Sequence, residues 1–291
     1  MTDFNRLDKN KILKDPSEIC LFVATRNNET LMPAFFEHHR KIGVDRFFVI
    51  DNMSSDGTID FLLKQENTHI FQTNAPYRVK QGKRSVNWNR WANELREYTM
   101  GNWCIVVDSD EFFIYTGYED IGVKELVKHL DEEGSTGMRG YLIDMYSKCP
   151  VKDAIYKKGE NIFDVLQYFD FPLDRKHNPR LRAMGNKKAI RLNKYPLFKC
   201  SKTSVIGAGH HDIYGCKVSS TVRGGVLHFK FTSDYVDHLK VESVRGVYYG
   251  KSKIKRRMLK KLSGNGEFSF YGDMSLKYIN SEQLVELGIM I

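Results

Sequence analysis

The chain predicts an α/β protein, a mostly parallel sheet flanked by helices with a helical C-terminal extension. Three observations carry that expectation. Apolar, β-branched or aromatic runs at 19–24, 46–50 and 103–107 have strand length and lack strict polar alternation, which fits strands buried on both faces. The first two are each followed by a polar turn and a helical pattern, the spacing of βαβ units. All three runs lead into polar side chains, Arg26, Asp51 and Asp108. Ligands of open parallel sheets bind beyond such strand ends.

The elements follow in order. After the strand at 19–24, residues 25–29 form a polar loop, Thr30 caps a helix that tolerates Pro33 in its first turn, and Gly43 closes it. The strand at 46–50 ends at Asp51 and Asn52, and the turn at 54–58 opens a second helix. A short strand is expected at 69–71. Residues 88–98 read as a helix with Trp91, Leu95 and Tyr98 on its buried face, and the strand at 103–107 comes next. A helix at 123–130 with Gly134 beyond it precedes a strand at 138–146 that carries Asp144. Residues 148–176 are irregular and aromatic-rich, an insertion suited either to line a substrate site or to pack as a surface excursion. Residues 177–182 read as an extended segment with Arg180 and Arg182 on one face, and 188–192 as a strand. The stretch 207–212 is polar and glycine-bearing. In a strand at 226–231, His228 and Lys230 share one face, opposite Leu227 and Phe229. Helices at 234–249 and 252–262, a break at 264–266 and a short amphipathic end complete the chain. No internal repeat and no low-complexity linker divide it, so one domain with a helical tail is expected.

Composition narrows the class. With 291 residues, 41% hydrophobic and 12% aromatic, the chain can bury one good core. No apolar run approaches the ~20 residues of a membrane span, and residues 1–16 are too polar for a secretory signal. Five scattered cysteines without a C-x-x-C pair argue against zinc or redox chemistry and for a reducing, cytoplasmic setting. The net charge of +9 is uneven: residues 230–261 hold ten Lys/Arg against three Asp/Glu. Such a tail suits nucleic acid, an anionic membrane surface or phosphorylated substrates, and equally a solvated helix face with no partner.

The chemistry centres on Asp108, Asp110 and Glu111, three acids at a strand end. Acids so crowded repel unless a cation lies among them. A hard divalent ion, Mn2+ or Mg2+, holding a diphosphate is the natural occupant of a D-x-D at this place; a turn acid followed by a helix cap is the plainer alternative. Neither G-x-x-x-x-G-K-[ST] nor G-x-G-x-x-G occurs, which argues against P-loop and dinucleotide sites. A nucleotide diphosphate held by metal rather than by a glycine loop remains.

Residues 19–58, with the turn Asp51-Asn52-x-Ser-Ser-Asp56-Gly57, resemble the first half of family 2-type glycosyltransferases with the GT-A fold. Trp103 and the later Asp108-Ser109-Asp110-Glu111-Phe112 are similar to the W…D-x-D-E-F signature of the bacterial family 2-like branch. Pro179-Arg180-Leu181-Arg182, Gly209-His210-His211 and His228-Phe229-Lys230 resemble further features of that branch. The resemblance spans about residues 18–290. It implies a GT-A, Rossmann-like domain at 18–231, with a nucleotide half near 18–115 and an acceptor half near 138–231. An N-terminal lead at 1–17 and a basic helical extension at 232–291 flank it.

The resemblance also implies roles. Thr25, Arg26 and Glu29 border the nucleotide, and Asp51 accepts a hydrogen bond from the base. Lys80 and Arg84 steady phosphate or nucleotide. Asp110 binds the metal, Asp108 the ribose and the metal shell, and Glu111 orients that shell or caps the turn. His228 completes the metal site, with His211 a second candidate, and Lys230 meets the leaving-group phosphate. Arg180 and Arg182 face the substrate. Inverting transfer needs a carboxylate base; Asp144 is the first choice, with Asp170 and Asp212 as alternatives. The implied activity is transfer of a sugar from a nucleotide-diphosphate sugar, a UDP-sugar first, to a hydroxyl on a carbohydrate or lipid-linked acceptor. Surface-polysaccharide or glycoconjugate synthesis is the implied setting, with the basic tail in peripheral contact with the membrane. The alternatives are a sugar nucleotidyltransferase, which usually carries a glycine-rich loop after its first strand, and a non-catalytic basic nucleic-acid-binding protein. Residues 24–28 contain no glycine, and the tail lacks aromatic interleaving.

Overall fold

The structure is a computed structural model that describes residues 2–81, 84–86, 88–176, 178–184, 190–245, 253–264 and 267–291. Among these, nine strands build the central sheet: β1 (Asn5–Arg6), β2 (Ile19–Thr25), β3 (Arg46–Asp51), β4 (Thr68–Gln72), β5 (Trp103–Asp108), β6 (Glu111–Ile114), β7 (Gly137–Asp144), β8 (Asn193–Lys199) and β9 (Val218–His228). Their order across the sheet is β1-β4-β3-β2-β5-β8-β7-β9-β6. β4, β3, β2 and β5 pair in parallel, as do β7 and β9. β8 is antiparallel to both β5 and β7, so those two run the same way. Six strands therefore share one direction, and β1, β6 and β8 oppose it. The mixed α/β architecture with a largely parallel sheet is the fold that the apolar runs imply.

The two faces of the sheet separate by strand parity. Ile19, Leu21 and Val23 of β2 and Ile105 and Val107 of β5 join one apolar cluster with Met32, Phe35 and Phe36 of α1 (Met32–Lys41). Val123, Val127 and Leu130 of α4 (Val123–Glu132) close that face, while α2 (Thr58–Leu62) covers its edge. Cys20 and Phe22, Phe48 and Ile50, and Cys104 and Val106 point the other way. They meet Trp88, Trp91, Ala92 and Leu95 on and before α3 (Asn89–Leu95). This double burial is why the strands lack polar alternation.

A third cluster binds the C-terminal hairpin. Tyr235 and Leu239 of α6 (Tyr235–Arg245) and Met258 and Leu262 of α7 (Lys253–Leu262) pack with Tyr146, Phe231 and Phe270. The outer ends expected for these two helices fall within 246–252, outside the described residues. The short strand Ser275–Lys277 pairs with Tyr168–Asp170 ahead of α8 (Ser281–Glu286), and Ile291 exchanges backbone bonds with Arg223 of β9.

Several local expectations need correction. Leu31, not Thr30, stands at the N-cap of α1; the chain is already helical there (φ −93°, ψ −24°), so no side chain caps it. Residues 179–184 form a helix, α5 (Pro179–Met184), rather than an extended segment. Pro179 suits a first turn, and Asn178 Oδ1 accepts from Leu181 N at 3.1 Å as a cap. The strand expected at 188–192 begins only at Asn193; Ile190, Arg191 and Leu192 are irregular, and 188–189 lie outside the described residues. The insertion at 148–176 holds two short helical turns, Val151–Asp153 and Ile162–Val165, and the strand Tyr168–Asp170, and mostly packs: Phe163 meets Phe112 and Phe229 edge-on.

Candidate functional site: a carboxylate-lined cavity at the strand ends

The C-terminal ends of β2, β3, β5 and β9 converge on a cavity of about 340 Å3, within the range of roughly 300–1,000 Å3 usual for ligand pockets. Thr25, Arg26, Asn27, Asn28, Asn52 and Tyr77 line it, together with Asp108, Ser109, Asp110 and Lys230 and with Tyr156, Phe229, Asp234, Tyr235, His238 and Leu239. Topology explains the convergence, because neighbouring parallel strands must deliver their terminal residues to one edge.

The two D-x-D carboxylates are held differently. Asp108 continues the parity of Cys104 and Val106, so it meets the α3 side: Trp88 Nε1 donates to its Oδ1 at 2.6 Å. Asp110 meets β9. Lys230 Nζ lies 2.7 Å and His228 Nε2 3.4 Å from its Oδ2. Burial opposes ionisation of Asp110, but Lys230 and His228 outweigh it and hold the carboxyl well below its ordinary range. Burial likewise opposes Asp108, and the Lys194 ammonium, with the Trp88 N–H, brings it below its usual value. Both acids therefore stand ionised in the cavity. Glu111 closes the turn between β5 and β6 by accepting from Asp108 N at 3.1 Å, and Lys194 Nζ sits 2.7 Å from its other oxygen. Burial, against the pull of Lys194, still raises the Glu111 carboxyl.

The donor chemistry fits a hard divalent ion. Hard carboxylate oxygens with one imidazole nearby suit Mg2+ or Mn2+. Among the described residues Asp110 Oδ1 accepts no hydrogen bond and is open to a cation, whereas Asp108 Oδ2, also without a hydrogen bond, faces Lys194 Nζ at 3.8 Å. A second grouping, Asp108, Glu111 and His210, brings its ligand atoms within 4.8 Å of one another. Lys194, 2.7 Å from Glu111 and 3.8 Å from Asp108, already supplies positive charge there. Neither Glu111 nor His210 lines the cavity.

Other candidates fall away from the cavity. Asp51 is fully buried and takes Ser54 N and Gln72 Nε2, which fixes the turn after β3 and leaves Asn52 to line the site. Glu29 accepts from Gly57 N at 3.1 Å and pairs with Lys158, outside the lining. Arg26 does line it, its guanidinium on Asn52 O at 2.5 Å. Thr25 lines it too, its hydroxyl buried without a partner. Lys80 and Arg84 stand on the paired short strands Val79–Gln81 and Arg84–Val86, and their side chains lie outside the described residues.

Being helical, α5 sends its two arginines to different places: Arg180 Nε to Asp144 Oδ2 at 2.7 Å, and Arg182 to Asp170 at 2.5 and 3.0 Å. Neither arginine lines the cavity. The three acids expected as bases are all committed. Asp144 lies between Arg180 and His228, whose Nδ1 is 2.6 Å away. Asp170 lies between Arg182 and the Tyr146 hydroxyl. Asp212 is on the surface with Arg191 at 2.7 Å. Of the histidine pair, His211 turns away to Asn193 O, while His210 packs edge-on against Trp88 near Asp108. Sequence reading missed Trp88, Lys194, His210, Asp234 and His238. Only Trp88 and His210 left a signal, an indole and an imidazole beside glycosyltransferase-like motifs; a lysine inside an ordinary strand pattern leaves none.

No protein-family model matches the chain, and no curated protein matches it significantly. Solved structures that match include a nucleotidyl transferase from Methanothermobacter thermautotroptrophicus, 11% identical, with a TM-score of 0.25 over 46% of this chain and 63% of that one. Another, from Bacillus anthracis, is described as a glucose-1-phosphate thymidylyltransferase in complex with sucrose. It is 12% identical, with a TM-score of 0.30 over 84% of this chain and 82% of that one. At such overlap the likeness carries no argument, and the functional reading rests on the cavity itself. No helix among the described residues is long and apolar enough to cross a membrane.

Proposed function

We propose that the cavity binds a nucleoside-diphosphate sugar through Mn2+ or Mg2+ and that the protein is a glycosyltransferase acting on a hydroxyl acceptor with inversion. The observation that carries this reading is the meeting of two ionised carboxylates, Asp108 and Asp110, with the cations Arg26 and Lys230 in one cavity at parallel strand ends. Asp108, Asp110 and His228 would hold the metal, which neutralises charge on the departing diphosphate. Thr25, Arg26 and Asn52 would border the nucleotide, a UDP moiety first. Lys230 would move from Asp110 to phosphate.

The base passes from the three committed acids to Asp234. It lines the cavity at the N-cap of α6, where His238 N bonds to its carbonyl. Among the described residues its carboxylate takes no cap bond and no cation. It would accept the acceptor hydroxyl's proton as that oxygen bonds to the sugar and the sugar–phosphate bond breaks. A carbohydrate or lipid-linked acceptor, a role in polysaccharide assembly and peripheral membrane contact through α7 belong to the same proposal. So does the division into a lead, a GT-A domain and a basic extension.

Calorimetric titration of UDP, then GDP, with and without Mn2+, tests the donor site. Metal-dependent binding is expected in wild type and lost in Asp110→Ala; absence of any nucleotide binding with metal present ends the reading. Nucleotidyl transfer, the activity named for both matched structures, would show instead as pyrophosphate released from a nucleoside triphosphate and a sugar phosphate. The glycine-free loop after β2 stands against it.

A further inference from the structure

β7 and β9 run parallel with Asp144 and His228 in register, so their side chains leave neighbouring strand ends together. Asp144 Oδ1 lies 2.6 Å from His228 Nδ1, and Asp144 Oδ2 takes Arg180 Nε at 2.7 Å. The Asp144 side chain is 2% exposed, and His228 is 6%. A buried carboxylate held by a guanidinium can only accept, so Nδ1 carries a proton toward Asp144. Nε2, 3.4 Å from Asp110 Oδ2, faces a second carboxylate and is protonated too in the absence of a metal; a divalent cation bound there takes the place of that proton while Asp144 keeps the one on Nδ1.

We infer that Asp144, anchored by Arg180, is a positioning residue that fixes the ring and tautomer of His228 so that Nε2 completes the divalent-cation site at Asp110. The inference rests on the metal reading above and assigns Asp144 an effect on metal affinity in place of proton transfer. Carboxylates behind metal-binding imidazoles act in this way, and their loss weakens metal binding about 10–100-fold. A carboxylate that merely clamped β7 to α5 would act on thermal stability and leave the metal alone.

The test titrates Mn2+ alone, and Mn2+ with UDP, into wild type, Asp144→Asn, Asp144→Glu, His228→Ala and the double variant Asp144→Asn/His228→Ala. Free Mn2+ is read by electron paramagnetic resonance and folding by thermal melts. Asp144→Asn is expected to weaken Mn2+ binding about 10–100-fold, with Asp144→Glu recovering part of the loss. In the His228→Ala background, Asp144→Asn should change Mn2+ affinity no further, because its effect passes through the imidazole. Nitrogen-15 NMR of the wild-type protein with Mg2+ reads the tautomer without any substitution, and His228 should show a protonated Nδ1 and an unprotonated Nε2. Wild-type affinity in a folded Asp144→Asn overturns the inference while leaving the metal reading intact. So does a full further loss in the double variant, or a proton found on Nε2 with Mg2+ bound. A wild-type protein that binds no Mn2+ overturns both.

Discussion

Trp88 shows how one side chain serves packing and electrostatics together. Its ring is fully buried beneath α3, and its indole nitrogen gives Asp108 its shortest hydrogen bond, 2.6 Å. Phenylalanine keeps most of the packing and removes the donor. Bonds to charged groups contribute about 1.5–3 kcal/mol; a third of the Asp108 side chain is exposed, which places this one near the lower end. Trp88→Phe should therefore cost about 2 kcal/mol of stability and weaken metal-dependent UDP binding, both measurable by urea unfolding and calorimetry. Asp170 supplies the contrast. It is 3% exposed, with Arg182 and Tyr146 on its oxygens, and lies outside the cavity. Asp170→Ala leaves the half-exposed Arg182 guanidinium with Phe270 O and solvent, a change that costs about 1–3 kcal/mol, yet nucleotide affinity should stay at the wild-type value. A large loss of UDP affinity in folded Asp170→Ala would return Asp170 to the site.

At the scale of elements, β9 matters most, because it delivers His228 and Lys230 to Asp110. Its approach depends on glycine. A Cβ at Gly224 would lie 2.6 Å from Ile114 O of β6, and backbone cannot move aside as a flexible side chain can. Gly224→Ala should destabilise by about 1–3 kcal/mol and displace β9 from β6, seen as a lower melting temperature with weakened Mn2+ binding. An unchanged melting temperature would show that the strands separate freely. The same element marks how far the sequence could be read. Strands β2, β3 and β5 were legible because apolar runs with polar ends state both burial and direction; β9 was legible only at its end, since it runs from Val218 to His228 rather than over 226–231, and Phe229 to Phe231 lie beyond it. α5 was not. Two arginines two residues apart look alike as an extended or a helical pair, and only the Asn178 cap and Pro179 distinguish them. The partners of Asp144, Asp170 and Asp212 were not legible either, since Arg180 and His228, Arg182 and Tyr146, and Arg191 come from distant segments.

Across the whole molecule, buried histidines set the response to acid. His38, on α1, pairs its Nε2 with Phe113 O at 2.7 Å, and burial pulls its pKa down to about 4. Burial also lowers His69, His39 and His210, the last two well below the ordinary value. Each is neutral in the fold and takes up a proton more readily when the chain unfolds. The unfolded state then binds more protons, so stability is full above pH 6.5 and falls as pH drops toward the folded values. For His38 the shift from 6.5 to about 4 corresponds to about 3 kcal/mol at the 1.4 kcal/mol of each unit. His228 has the opposite sign. Burial opposes its charge, but Asp110 and Asp144 raise its pKa, so its contribution is full below 6.5 and is lost as pH rises through the raised value. With His211, also lowered by burial to about 4, five lowered histidines against one raised one make the balance acid-sensitive. Urea unfolding followed from pH 7.5 to 4.5 should show stability declining steadily from about 6.5, before most carboxylates begin to titrate. His38→Gln, which keeps a donor for Phe113 O without a titrating ring, should flatten that decline. A stability curve level from pH 7 to 5 would mean that the buried imidazoles remain hydrated enough to charge in place.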